Sequence, residues 1–176
     1  MRIADPYLDE LTSEASTTRR VLERVPEAHL KWRPHEKSMS LGQLTLHVAT
    51  LPRQLTEFVT GDALDFGAAA GAPPTVSSHQ ELLAAFASST EQAQSYLATL
   101  SDERASATWR LMAGGRELFA APRVAVLRSF LFNHWYHHRG SCSSTCDCST
   151  YRCHRSTDPP LMRTRLWILD ALLSCR

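Results

Sequence analysis

Asn133-His134-Trp135-Tyr136-His137-His138-Arg139-Gly140 closes a strongly apolar segment and sets two imidazoles four residues apart. On an α-helix that spacing stacks His134 and His138 one turn apart on one face, where ring nitrogens of both can reach a single metal ion. The residues before them keep the same phase: Leu127, Phe130, Leu131, His134 and His138 share one face, and Pro122 suits the first turn. The stretch therefore predicts a helix whose inward side carries two candidate metal ligands. A third candidate, His47, lies on the inward face of another predicted helix.

Working outward, helical periodicity accounts for most of the first 140 residues. Leu8, Leu11, Ala15, Thr18, Leu22 and Val25 predict a first helix from about Pro6 to Arg24, stopped by Pro26. Glu27 to Lys37, with Trp32, Pro34 and two histidines among charges, reads as a connector. Ser38 or Ser40 caps a second helix with Leu41, Leu44, His47, Val48 and Leu51 on its inner face, and a kink is expected at Pro52. From Gly61 to Ser77 the chain is rich in Gly, Ala and Pro, and Pro73-Pro74 forbids a helix, so a long crossing loop is expected. Ser78-His79-Gln80-Glu81 has capping-box spacing and opens a third helix carrying Leu82, Leu83, Phe86, Ala93, Tyr96, Leu97 and Leu100. Between Thr108 and Phe119, alternation around Gly114-Gly115 fits a small hairpin or an irregular loop. Four helices with two long connections imply an all-α four-helix bundle with sites built in its interior.

The 176 residues suit one domain, large enough to bury a core without disulfides. The formal net charge of +1, with lysine nearly absent, argues against a nucleic-acid surface, which needs a basic stripe to displace counterions. No segment is apolar enough for long enough to span a bilayer, and the N-terminus lacks the apolar core of a signal peptide. A cytoplasmic protein with no nucleic-acid or membrane partner is expected.

Two segments carry a family resemblance. Ser38-Met39-Ser40-Leu41-Gly42-Gln43-Leu44-Thr45-Leu46-His47-Val48 and Asn133 to Gly140 resemble the signature segments of the DinB-like (YfiT-like) four-helix proteins. Val25-Pro26-Glu27 and Leu30-Lys31-Trp32-Arg33-Pro34 resemble that family's connector between its first two helices. The resemblance spans residues 1 to 140. It implies an up-down-down-up bundle in which His47, His134 and His138 bind a divalent ion: nickel, zinc or iron. It also implies a metal-dependent hydrolase or thiol (S-)transferase acting on a small molecule, in some relatives with a low-molecular-weight thiol, and a homodimer formed by helix-face pairing.

The chemistry of the residues agrees. Three neutral imidazoles leave a divalent ion an open position, as catalytic rather than structural sites do, and such an ion lowers the pKa of bound water or thiol. No general base stands out; Glu57, on the second helix, is the carboxylate considered. Asn133, Trp135, Tyr136, His137 and Arg139 are candidates to support the ligands or line a pocket. A lone His47 on an apolar face is more often a hydrogen-bonded core histidine than a ligand, so a non-catalytic metal- or ligand-binding bundle and a dimeric structural bundle stand as alternatives. His29, His35, His79 and His154 have no supporting pattern.

Residues 141–176 break from what precedes them. All five cysteines, Cys142, Cys146, Cys148, Cys153 and Cys175, fall there, while lysine and glutamate do not. The spacing lacks paired C-x-x-C knuckles, and nothing upstream suggests an oxidising compartment, so neither a zinc knuckle nor a disulfide framework is expected. A shifted reading frame fits better. In the related proteins His-Arg-Gly is followed by Gln-Leu, a helical Leu-Arg-Leu and a Pro-rich ending. Read one base earlier from Gly140, the codons permit that order, and those of Cys146-Asp147-Cys148 give Arg-Leu wherever no stop intervenes. The serines and cysteines after Gly140 are weaker helix formers, so the fourth helix is expected to lose its last turns there. Leu161 to Leu173 has the pattern of a short amphipathic helix.

Overall fold

The computed structural model describes residues 1–65 and 74–150, the last four as backbone only. Helix α1 spans Asp5–Leu22, α2 Leu41–Phe58 and α3 His79–Thr99. The fourth rod is continuous helical backbone in three parts: α5 (Arg123–Val126), a π-helical stretch (Leu127–Asn133), and α6 (His134–Thr150). Short α4 (Asp102–Ser106) and strands β1 (Ala63–Asp65), β2 (Thr108–Ala113) and β3 (Arg116–Pro122) fill the connections.

Side-chain bonds between rods fix their directions. The Gln94 amide donates to the Thr12 hydroxyl at 3.1 Å, and His79 Nε2 meets the Leu22 carbonyl at 2.9 Å, so α3 runs against α1. The Arg53 amide donates to Ser89 Oγ at 3.0 Å and the Tyr96 hydroxyl to the Val59 carbonyl at 3.2 Å, so α2 and α3 run together. Glu10 accepts from Arg128 at 2.6 Å and Glu14 from Arg139 at 2.5 Å, so the fourth rod follows α1. The order is up-down-down-up, and the parallel α2–α3 pair requires the long crossing segment between them. The interior is the row of inward leucines that periodicity selects, among them Leu11, Leu22, Leu41, Leu51, Leu82, Leu97 and Leu131, closed by Phe132, Trp109 and Trp135.

Local chemistry explains the boundaries. Ser40, not Ser38, caps α2: its Oγ accepts from the Gln43 amide at 3.2 Å while Gln43 Oε1 accepts from the Ser40 amide at 2.9 Å. Ser78 caps α3, but Glu81 bonds the Ser77 amide and hydroxyl instead of completing a box. Pro52 lies inside α2, which continues to Phe58. The sequence around Gly114-Gly115 forms the hairpin, with both glycines at positive φ (56° and 79°), as a tight primed turn requires. Not foreseen are α4 and the parallel pairing of β1 with β2, which makes a three-stranded sheet in the order β1-β2-β3. The pairing partner of β1 lies 47 residues away (Ala63 with Arg110), beyond the reach of local patterning.

The expected loss of the last turns after Gly140 is corrected by α6, which runs to Thr150. Ser141, Ser143 and Ser144 place their hydroxyls on carbonyls four residues back, those of His137, Arg139 and Gly140. Cys142 is fully buried in the core, and burial of that face offsets weak propensity. The predicted amphipathic segment from Leu161, and Cys153, His154 and Cys175, lie outside the described residues. No helix among the described residues is long and apolar enough to cross a membrane.

Candidate metal centre

The Ser40 capping box starts α2 in a phase that turns His47 toward the fourth rod, while the i, i+4 spacing stacks His134 and His138 on the opposing face of α6. The three imidazoles converge. His47 Nε2 lies 3.3 Å from His134 Nε2. Ring centroids are 5.5 Å apart for His47 and His134, 4.6 Å for His47 and His138, and 4.5 Å for His134 and His138. One nitrogen from each ring lies within 4.8 Å of the other two. His134 and His138 are buried and His47 half-buried, so the cluster is closed on the α6 side and accessible on that of α2.

The donor set fits a divalent ion. Nitrogens bound tetrahedrally at about 2.0–2.1 Å stand about 3.3–3.4 Å apart. The separation between His47 and His134 has that value, and the third ring brings a nitrogen within 4.8 Å of both. Three neutral imidazoles suit zinc, nickel and iron alike.

The neighbours sort into two groups. His137 packs its ring on that of His138 at 5.1 Å between centroids, and Trp135, fully buried, donates its indole N–H to the Val48 carbonyl at 3.0 Å. Both thus adjoin the cluster. Tyr136 and Arg139 turn instead to α1: the Tyr136 hydroxyl donates to Glu10 at 2.5 Å, and Arg139 donates to Glu14 at 2.5 Å and Thr18 at 3.2 Å while lying over the Tyr136 ring. Burial, reinforced by the Glu10 bond, drives the Tyr136 phenol pKa far above its ordinary value. Burial raises the Glu10 pKa, but the Arg128 and Tyr136 bonds outweigh it and leave the carboxyl below its usual range. These residues bind the fourth rod to α1. Asn133 is exposed. Glu57, ten residues along α2 from His47 and so roughly 15 Å away by helical rise, is paired with Arg53 at 2.8 Å and does not approach the cluster.

Sequence reasoning missed the anchoring role of Glu10 and Glu14, whose spacing puts two carboxylates on one face of α1. It also missed the bond from Trp135 to Val48, for which Pro52, four residues after Val48, was the available signal.

Two solved structures share the architecture. The chain is similar to a DinB-like protein from Bacillus subtilis, YjoA, with a TM-score of 0.63 and 19% identity over 92% of this chain and 99% of that one. It is also similar to a DinB-like protein from Bacillus cereus ATCC 10987, with a TM-score of 0.58 and 16% identity over 82% and 90% of the two chains. At these identities the likeness speaks to fold. No curated protein matches the chain. The model of the DinB superfamily matches residues 10–142, which include all three converging histidines, and the chain therefore belongs to the DinB superfamily.

Proposed function

We propose that this protein is a metal-dependent enzyme of hydrolase or thiol-transferase type, holding one divalent ion through His47, His134 and His138 and acting on a small molecule. The observation that carries the reading is the convergence of three ring nitrogens within 4.8 Å from two different helices. A nickel, zinc or iron ion bound there supplies Lewis acidity, lowering the pKa of a coordinated thiol or water near neutral pH. The chain's residues do the rest. Burial of His134 and His138 keeps water from their side of the site, and the half-buried His47 leaves the α2 side as the way in for a small molecule. The His137 ring against His138 limits its rotation. The protein is proposed to work in the cytoplasm as a homodimer.

Metal analysis of protein purified without a histidine tag tests the site: about one ion per chain is expected, lost in His134→Ala. Thiol-transfer and ester-cleavage assays on the same two proteins test the chemistry. Turnover by the wild type alone supports an enzyme. Metal without turnover favours a binding module, and a metal-free wild type that cannot be loaded refutes the reading.

A further inference from the structure

Within α2, the carbonyl of residue 48 would accept the amide hydrogen of residue 52, but residue 52 is proline and has none. Val48 is fully buried, so water does not take the vacant place. The hydrogen comes from the opposite rod: Trp135 Nε1 donates to the Val48 carbonyl at 3.0 Å in a buried bond. The following amide also has a partner outside α2, with Arg53 donating to Ser89 Oγ at 3.0 Å. Proline thus opens the ladder of α2 at the Val48 carbonyl, and the place is filled from a neighbouring helix.

The location of the first bond gives it a second consequence. Val48 follows His47 in the chain and Trp135 follows His134, and the two imidazoles face each other at 3.3 Å between Nε2 atoms. A single backbone-anchored bond, one residue from both ligands, therefore fixes the axial register and separation of α2 and α6 where the cluster forms. Packing alone holds register less sharply, because apolar contacts are non-directional. Trp135 also packs near Phe86, with ring centroids 6.5 Å apart, and a phenylalanine at 135 would retain part of that contact while losing the donor.

We infer that Trp135 is a positioning residue for the metal centre: through the Val48 carbonyl that Pro52 leaves open, it sets His47 against His134. The inference rests on the metal reading above. The test measures nickel(II) affinity, by competition with a chromophoric chelator, and thermal stability for wild type, Trp135→Phe, Pro52→Ala and the double variant. Trp135→Phe is expected to lower the melting temperature and to weaken nickel binding about 10- to 100-fold, the usual range for groups that orient ligands. Pro52→Ala alone keeps the indole bond, since a carbonyl has two lone pairs, and binds nickel within about 3-fold of wild type. In the double variant the new amide at 52 satisfies Val48, so part of the melting temperature returns, while nickel binding stays weak because the link between helices is still missing. Recovery of nickel affinity along with stability, or undiminished affinity in Trp135→Phe, would overturn the inference while leaving the metal reading intact. A wild-type protein that takes up no ion overturns both.

Discussion

Arg123 is the largest fully buried charged side chain among the described residues, and its guanidinium makes four bonds. Nε donates to the Val59 carbonyl at 2.6 Å, Nη1 to that of Arg104 at 2.5 Å, and Nη2 to that of Gly61 and to Asp62 Oδ1, both at 2.8 Å. Two contributions compete for the energetic role: an ion pair with Asp62, and capping of three carbonyls, those of Val59 at the end of α2, Gly61 just beyond it and Arg104 in α4. The Asp62 side chain is 68% exposed, which screens the pair. The carbonyls need a donor that reaches three directions at once, and the planar fork supplies it. Arg123→Met removes that donor from a fully buried position, and with charge-assisted bonds to three carbonyls lost, at about 1–2 kcal/mol each, it should destabilise the fold by about 3–5 kcal/mol. For a chain of this size that is roughly 6–20 °C in melting temperature. Arg123→Lys, which keeps charge but not the fork, should lose a substantial part of this, and Asp62→Asn almost nothing. Urea denaturation of the three variants decides the matter. If Asp62→Asn is as damaging as Arg123→Met, the ion pair carries the stability and the capping argument is wrong.

Alkaline titration gives a second check. The Tyr136 phenol is raised above its ordinary value by burial and by its bond to Glu10; a raised folded-state pKa contributes stability that is present below the unfolded value, about 10, and lost as pH rises above it. The tyrosinate absorbance should therefore show late-titrating tyrosines, Tyr136 and the half-buried Tyr96, with one removed in Tyr136→Phe; a spectrum in which every tyrosine ionises near pH 10 rejects the phenol–carboxylate contact. For the residues after Gly140, sequencing the coding DNA is expected to reveal a one-base slip near that codon; an unbroken frame with related proteins ending in the same way disproves it.

What the sequence made legible was whatever repeats at short range. Leu41, Leu44, His47, Val48 and Leu51 announce both a helix and its inward face, so His47 could be set on the side of α2 that meets the fourth rod from spacing alone. Gly114-Gly115 likewise announces a turn that only φ-positive residues make easily. What stayed hidden depends on partners far along the chain. β1 is three residues long and exists because Arg110 and its neighbours offer an edge, and Tyr136 and Arg139 read as site residues until α1 supplies Glu10 and Glu14. The weak propensity after Gly140 was read correctly but outweighed, because Cys142 buries its side chain and the serines satisfy their own hydroxyls. That outcome came from packing, which propensity does not encode.

Among the described residues, the side-chain bonds from the fourth rod to α1 run from Arg128 to Arg139. Arg128, Tyr136 and Arg139 all engage α1 at or before that residue, and His134 and His138 lie within the same fastened length. The ligand-bearing half of the rod is thus moored to α1 by three side chains that bracket both histidines. Such an arrangement makes α1 the bracket that holds the second helix of the histidine cluster at a set height, so a change at Glu10 or Glu14 is transmitted to His134 and His138 although neither carboxylate touches them.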